Sequence, residues 1–518
     1  MAIPPKLYQI LLAMIASLGN LLLGYDLGVI AAVVAAPSFK SHFNQPNSAE
    51  TGAVVSTFTA GAFVGAFIGG LSADRFGRRL TLMAGSALFC LGGALQTAGI
   101  HLSYVISGRL IAGIGVGLLI MAVGLYQAEL AHPDIRGTIV ALQQFMLGIG
   151  ALLAASISYG TFVGVADDDN AQWRISLGIQ IAPAAVMGCV IGFFPESPRW
   201  LIDNGQEANG LKVLAQLHAN GNESDPWVLA EFEQIKQSLG AEHEVQAKSY
   251  LDLFRSMSSF RRLFLAVALQ ASGQMTGVSA IQYYSVTIYG QIGISAADSL
   301  KYQIITNVIA LLGELTCILL IDKLGRRWPL IGGNLANGMT FIVATALLAK
   351  FPPTSNSTGA HWGFIIMTWL FNYSFSSTVG PLSWIIPAEI FDTPTRSKGV
   401  SLATMTTFAF NTLIGQITPL AMEAVGWRFY ITFIVCNVTN ALFFWAFLPE
   451  TKKVPLEEMK ELFTVTPIFV PGSSAKWERN ELRNLAERYI LLVTEPYNSK
   501  EHDSEGYHSG QSLQSSLP

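Results

Sequence analysis

Asp74-Arg75-Phe76-Gly77-Arg78-Arg79 returns later in the chain as Asp322-Lys323-Leu324-Gly325-Arg326-Arg327. Two further charged motifs return in the same order. Glu129 with Arg136 is answered by Glu389 with Arg396, and Pro195-Glu196-Ser197 by Pro449-Glu450-Thr451. The displacements are 322−74 = 248, 389−129 = 260 and 449−195 = 254. Three motifs moved by nearly the same distance mark an internal duplication. Between the copies lies the one long polar stretch, 195–262.

Around these motifs the chain is strongly apolar. Of its 518 residues 51% are hydrophobic and 13% charged, where a soluble domain has about 25% charged residues. A spanning helix needs about 20 mainly apolar residues. The charge-poor intervals before the polar stretch are 7–39, broken only by Asp26, then 51–73, 80–108, 110–128, 137–166 and 175–195. After it come 263–297, 302–321 (broken only by Glu314), 328–349, 351–388, 399–422 and 429–449. Six and six predict twelve crossings. They must be helices, because the unpaired backbone of an open strand is not tolerated in lipid. The expected architecture is an all-α membrane protein with two six-helix bundles, 1–194 and 263–449. A helical linker, 195–262, joins them, and a tail, 450–518, follows. Gly61, Gly65 and Gly69, every fourth residue of the second span, read as a close-packing face.

Arg and Lys concentrate at 74–79, 134–136, 195–262, 322–328 and 392–398. The positive-inside bias then puts both termini and the linker in the cytosol. Asn356-Ser357-Thr358 falls in an outward loop and is a glycosylation candidate at Asn356; Asn222-Glu223-Ser224 faces inward and is set aside. In the linker, Leu211, Val213, Leu214 and Leu217 form one apolar helical face, and Val228, Leu229, Phe232 and Ile235 another. About 65 residues broken by Gly and Asn bury too little core for a separate enzymatic domain. The tail offers a helix near 475–493 and then a composition typical of disorder. The N-terminus runs directly into an apolar stretch and reads as a first span rather than a cleaved signal.

Several functions are excluded. A net charge of −4 gives no nucleic-acid footprint. Cys90, Cys189, Cys317 and Cys436 lie in four different spans, which fits neither a disulfide framework nor a zinc site. No nucleophile–base pair, metal cluster or phosphate loop stands out, so neither an enzyme nor a cofactor is expected.

Ionisable groups inside spans mark pathways or relays. Asp26 lies in the first span and Arg109 opens the fourth; each is the other's most economical partner. Burial disfavours the charged carboxylate and a nearby guanidinium favours it, so a carboxylate between the two can load and release a proton. The alternative is a fixed ion pair that only pins helices. Glu314 stays unassigned at this point.

Together these residues carry a resemblance. The doubled Gly-Arg-Arg, Pro195-Glu196-Ser197-Pro198-Arg199-Trp200-Leu201, Gly108-Arg109 with Gly113-Ile114-Gly115-Val116-Gly117, and Pro387-Ala388-Glu389-Ile390-Phe391 resemble the sugar porters of the major facilitator superfamily. Within that family they look like the fungal-type monosaccharide transporters. The resemblance covers about residues 8–460. It implies the major facilitator fold, alternating access and a site between two parallel repeats. It also implies substrate contacts at Gln144, Gln274, Ser279, Tyr283, Trp384 and Thr407. There the match is partial, because the family's usual second glutamine is Gly273 and its asparagines fall on Ser279, Ala310 and Thr407. Shortened arms leave room for a larger or differently placed substrate or for water bridges. Gln144 and Gln274 could instead join helices, and Trp384 could belong to an interface belt.

The resemblance further implies a cytosolic gate of Asp74, Arg78, Glu129, Arg136, Glu196, Arg199, Asp322, Arg326, Glu389, Arg396 and Glu450. Taken singly, such loop charges are worth little. The reading is proton symport of a monosaccharide, hexose or pentose, in the plasma membrane. Uncoupled facilitation is the close alternative, since some facilitators in the family also keep an Asp at this position; a non-transporting sugar sensor is the third. The expected partners are a small-molecule sugar, protons and the lipid bilayer, with the chain working as a monomer.

Overall fold

The computed structural model describes residues 5–130, 136–245, 250–351, 357–391, 393–452 and 459–472. Asn356 and the expected tail helix lie outside the described residues, as do the side chains of Arg136 and Asp322.

The described residues are helical throughout, apart from connecting turns. In the first half, α1 (Pro5–Ala16) and α2 (Leu18–Ala35) continue one another across Ser17, and α3 (Pro37–His42) follows. Then come α4 (Ser48–Phe76), α5 (Arg78–Thr97), α6 (Leu102–Leu130) and α7 (Arg136–Gly164). The sixth crossing is made of α8 (Ala171–Gly178) and α9 (Ile181–Ile191). The linker holds α10 (Pro198–Asp203), α11 (Glu207–His218) and α12 (Pro226–Val245), then a 3-10 turn, Tyr250–Phe254. In the second half α13 (Met257–Met275) and α14 (Val278–Gly290) form the seventh crossing, followed by α15 (Ala296–Leu324) and α16 (Arg327–Lys350). Last come α17 (Thr358–Ser377), α18 (Val379–Ile390), α19 (Thr393–Val425), α20 (Phe429–Phe447) and α21 (Met459–Val465).

Ten described segments are long and apolar enough to cross a bilayer, and the last of them, Lys398–Phe447, covers both α19 and α20. The α17–α18 pair, interrupted at Thr378, supplies another crossing, so the total is the expected twelve. The outer flanks carry exposed apolar side chains, among them Ile68 and Leu71 on α4 and Leu312, Leu315 and Leu319 on α15. Such a girdle faces hydrocarbon while polar groups turn inward.

Close packing follows from small residues. A Cβ at Gly61 would meet the Leu110 carbonyl oxygen at 2.2 Å, and one at Gly65 the Ile114 oxygen at 2.2 Å. The expected glycine face therefore lets α4 lie directly on α6. Gly24 does the same for α2 against Leu147 of α7, at 1.9 Å. The linker also follows its sequence pattern: Leu214, Ala215 and Val228 are buried together, with Leu211, Phe232 and Ile235 against them. Leu229 is the exception and faces outward. Gln9 of α1 donates to the Leu217 carbonyl at 2.9 Å, which ties α11 to the first bundle.

Candidate transport site and inner charge lattice

Two sets of polar residues are built on this frame. The first set lies at the helix ends on the linker side, and there the duplication survives at atomic detail. Glu196 accepts from the backbone N–H groups of Arg78 at 3.0 Å, Arg79 at 3.1 Å and Ser197 at 2.9 Å. Glu450 accepts from Arg326 N at 2.9 Å, Arg327 N at 3.2 Å and Lys452 N at 3.0 Å. Each glutamate therefore caps the orphan N–H groups that begin α5 or α16. The loop reaches it through a glycine at φ +91 in Gly77 and +88 in Gly325. That backbone region is essentially restricted to glycine. A Cβ would also collide with the capping carboxylate, at 2.4 Å from Glu196 Oε2 and 2.6 Å from Glu450 Oε2. The Gly-Arg-Arg repeat is thus a backbone turn shaped around a buried cap as well as a pair of basic residues.

The arginine after each glycine ties the cap to a third helix. Arg78 Nη2 lies 2.9 Å from Glu129 Oε1 on α6 and 3.4 Å from Asp74 Oδ1. Arg326 Nη2 lies 2.8 Å from Glu389 Oε1 on α18, and Thr451 Oγ1 donates to Glu389 Oε2 at 3.2 Å. The sequence grouped Glu129 with Arg136 and Glu389 with Arg396. The partners found for these glutamates are Arg78 and Arg326, and Arg396 Nη2 donates to the Phe391 carbonyl at 3.4 Å. Arg199 sits on α10 beside the first cap. Burial pushes the Glu196 carboxyl above the usual carboxylate range, while its three backbone donors and Arg78 hold it down.

The second set lies within the spans. Asp26 and Arg109 are fully buried and meet, Arg109 Nη1 standing 3.0 Å from Asp26 Oδ1. The contact is ionic without an aligned hydrogen bond, and neither Asp26 oxygen has a hydrogen-bond donor among the described residues. Phe58 of α4 caps the other side, with its ring 5.1 Å from the guanidinium carbon. Residues from α2, α6 and α4 thus bring one carboxylate and one guanidinium together out of reach of solvent.

The residues expected to contact substrate fall on α7, α13, α14, α18 and α19. Gln144 on α7 is half-buried and lies beside Glu314 of α15 in the opposite half. Gln274 accepts from Ser279 Oγ at 2.5 Å, across the break between α13 and α14 where Gly277 is left-handed at φ +98. Tyr283 OH donates to Asn411 Oδ1 at 2.6 Å. Thr407, one turn before Asn411, donates within its own helix to Ala403 O at 3.3 Å. Trp384 is half-buried on α18, next to buried Ser383.

Asn411 escaped the sequence reading, and Glu314 was left unassigned by it. Asn411 stands one turn beyond the asparagine position that Thr407 occupies, and Glu314 stands one turn beyond Ala310. The signal was present in both cases as a polar residue four positions from a shortened one. On the side of the spans away from the linker, the halves are zipped by Ser56 to Gln416 at 2.8 Å and Thr59 to Thr412 at 2.8 Å, and within the second half Tyr284 donates to the Gly415 carbonyl at 2.6 Å.

A protein-family model described as sugar (and other) transporter matches residues 12–463. The chain belongs to this sugar transporter family. Among curated members, an MFS-type transporter, criB, of Aspergillus cristatus is 32% identical over 475 residues, covering 91% of this chain and 96% of that protein. A high-affinity glucose transporter of Kluyveromyces lactis is 30% identical, covering 89% and 86%. A quinate permease of Neurospora terricola is 32% identical, covering 91% of each. Among solved family structures, the proton:xylose symporter XylE bound to 6-bromo-6-deoxy-D-glucose aligns at TM-score 0.73 and 26% identity, covering 88% of this chain and 99% of that one. An inward open xylose transporter XylE from E. coli aligns at TM-score 0.72 and 27% identity, covering 88% and 100%. The major facilitator architecture implied by the resemblance is the architecture of these neighbours.

Proposed function

We propose that this sugar transporter family member carries a monosaccharide, a hexose or a pentose, by alternating access in symport with a proton held on Asp26. The observation that carries the reading is the buried Asp26–Arg109 contact at 3.0 Å. An acid buried without a hydrogen-bond donor, balanced by one guanidinium, is suited to change protonation when its surroundings change. Family relatives described as glucose transporters and as a proton:xylose symporter support the substrate class and the coupling.

On this reading Gln144, Gln274, Ser279, Tyr283, Trp384 and Thr407 line the sugar path. The repeated lattice of Asp74, Arg78, Glu129, Arg136, Glu196, Arg199, Asp322, Arg326, Glu389, Arg396 and Glu450 works as the inner gate. Bundles 1–194 and 263–449 rock about the linker 195–262, with the tail 450–518 and both termini in the cytosol. The protein works as a monomer in the plasma membrane. Ser56–Gln416 and Thr59–Thr412 would have to part whenever the outer face opens.

The test is accumulation of labelled sugar by cells that lack their own sugar carriers. The wild type concentrates sugar above the outside level, and Asp26→Asn loses accumulation while still exchanging sugar. An Asp26→Asn protein that accumulates as well as wild type refutes a proton carried on this residue.

A further inference from the structure

We infer that the first bundle carries a binding site for one zwitterionic phospholipid on its flank, at the end of the spans away from the linker. The site is a groove between α5 and α8. Both helices pack on elements of their own half, and the groove stands apart from the seam that holds Ser56–Gln416. The inference does not depend on the transport reading above.

The groove holds about 700 Å³ of open space between Thr97, at the end of α5, and Asp169, Arg174, Ile175, Gly178 and Ile179, where the sixth crossing begins. Its floor is open because position 178 is a glycine: a Cβ there would lie 3.4 Å from the Thr97 methyl group. Ile175 and Ile179, one turn apart on α8 and just beyond it, are 42% and 39% exposed. They form an apolar wall running from the helix end down into the bilayer. Arg174 stands in the first turn of a span that starts at Ala171. That is about 5 Å from the helix end, at the depth where headgroups lie.

Opposite charges stand on the rim without ionic partners. Arg174 is half-buried. Its Nη2 donates to the Gly99 carbonyl at 3.3 Å, and its guanidinium carbon lies 5.1 Å from the Trp173 ring. Those contacts fix the group in place. Its Nε is buried with no hydrogen-bond partner, and no carboxylate is in ion-pair contact with it among the described residues. Asp169 accepts from Ala171 N at 2.8 Å and is likewise in no ion pair among the described residues, with Arg174 or with any other cation. A planar guanidinium with donors to spare suits a phosphate, and a carboxylate suits an ammonium. In phosphatidylcholine and phosphatidylethanolamine a short ethyl link joins those two groups, so one headgroup meets both rim charges while an acyl chain follows Ile175 and Ile179. A basic pocket between spans is a recognised way to hold a lipid headgroup. An anionic headgroup without an ammonium leaves Asp169 unmatched and sets like charge beside it, which biases the groove against such lipids.

The experiment uses the full chain, purified in detergent and stripped of lipid. The probes are phosphatidylcholine and phosphatidylglycerol with the same acyl chains, and native mass spectrometry follows the first lipid retained. Wild type holds phosphatidylcholine about threefold more tightly than phosphatidylglycerol, and Asp169→Asn brings the two lipids level. Arg174→Gln weakens retention of phosphatidylcholine by about tenfold. Gly178→Leu, which fills the floor and changes no charge, weakens retention of both lipids by about tenfold. Independently of any variant, phosphatidylcholine raises the melting temperature of the wild type more than phosphatidylglycerol does. The inference is overturned if wild type retains the two lipids equally. It is also overturned if Arg174→Gln and Gly178→Leu, with melting temperatures near that of wild type, hold phosphatidylcholine as wild type does. Either result leaves annular lipid only.

Discussion

The two halves share their linker-side corners and differ in their membrane interiors. Glu196 over Gly77, with Arg78 tied to Glu129, has the same construction as Glu450 over Gly325, with Arg326 tied to Glu389. Inside the membrane the first half encloses an acid and a base, Asp26 and Arg109. In the second half the one acid deep in a span is Glu314, set without a base. Both halves interrupt helices, the first at Ser17 and between α8 and α9, the second at Gly277 and Thr378, and at the left-handed Gly277 the break lets Gln274 accept from Ser279. The linker-side corners stay alike in the two halves, while the interiors differ: an acid–base pair in the first, and a lone acid with a polar helix break in the second.

The largest effect should come from breaking the feature that has no counterpart. Arg109→Leu leaves Asp26 buried and uncompensated, and losing one partner of a buried pair is expected to destabilise by about 3–5 kcal/mol. Thermal unfolding of the purified protein reads this directly. A loss no greater than that of a surface arginine variant would show that the pair is not structurally coupled.

Next come the shared corners. Gly77→Ala and Gly325→Ala each place a methyl group within 2.4 and 2.6 Å of a capping carboxylate oxygen, in backbone that other residues avoid. Each should cost about 1–3 kcal/mol, and the two losses should match because the corners match. A harmless alanine in one half and a damaging one in the other would break the equivalence.

Smaller again is the effect of loosening the gate. Arg136→Ala and Arg396→Ala are expected to slow transport by about tenfold, roughly the worth of one charge-assisted contact, while outside sugar binding stays largely intact. Single-turnover uptake compared with equilibrium binding separates the two, and equal loss of both would count against a gating role.

The smallest effect is a pH dependence. Burial raises the Glu196 carboxyl above its ordinary range. A carboxyl raised in the folded state contributes stability that is complete at acid pH and fades as pH climbs through the folded value. The melting temperature of wild type, relative to Glu196→Gln, should therefore fall as pH rises from about 4. A difference that grows over that range would contradict the assignment.

Much of the fold was legible because charge is so scarce in this chain. Asp26, Glu314 and the intervals around them marked each crossing, and the repeated Gly-Arg-Arg fixed the two-bundle plan. The Asp26–Arg109 pairing was legible too, since an isolated buried charge demands a partner. The role of Glu196 and Glu450 was less so: a conspicuous acid among arginines reads as an ion-pair partner, yet both spend their oxygens chiefly on backbone N–H groups. Asn411 was missed and Glu314 left unassigned because each stands one helical turn from the position where a polar arm was sought. Glu314 was further hidden because its neighbour, Gln144, lies 170 positions away in the other half, and only packing of α7 against α15 brings them together.

The account stands or falls on a proton moving with sugar through the wild-type chain. The direct measurement is made on purified protein in sealed lipid vesicles with a pH-sensitive dye on one side, with a sugar shown to be transported added at zero pH gradient. The account predicts a sugar-dependent proton flux in the direction of the sugar, absent in Asp26→Asn. Sugar flux through the wild type with no accompanying pH change would contradict it.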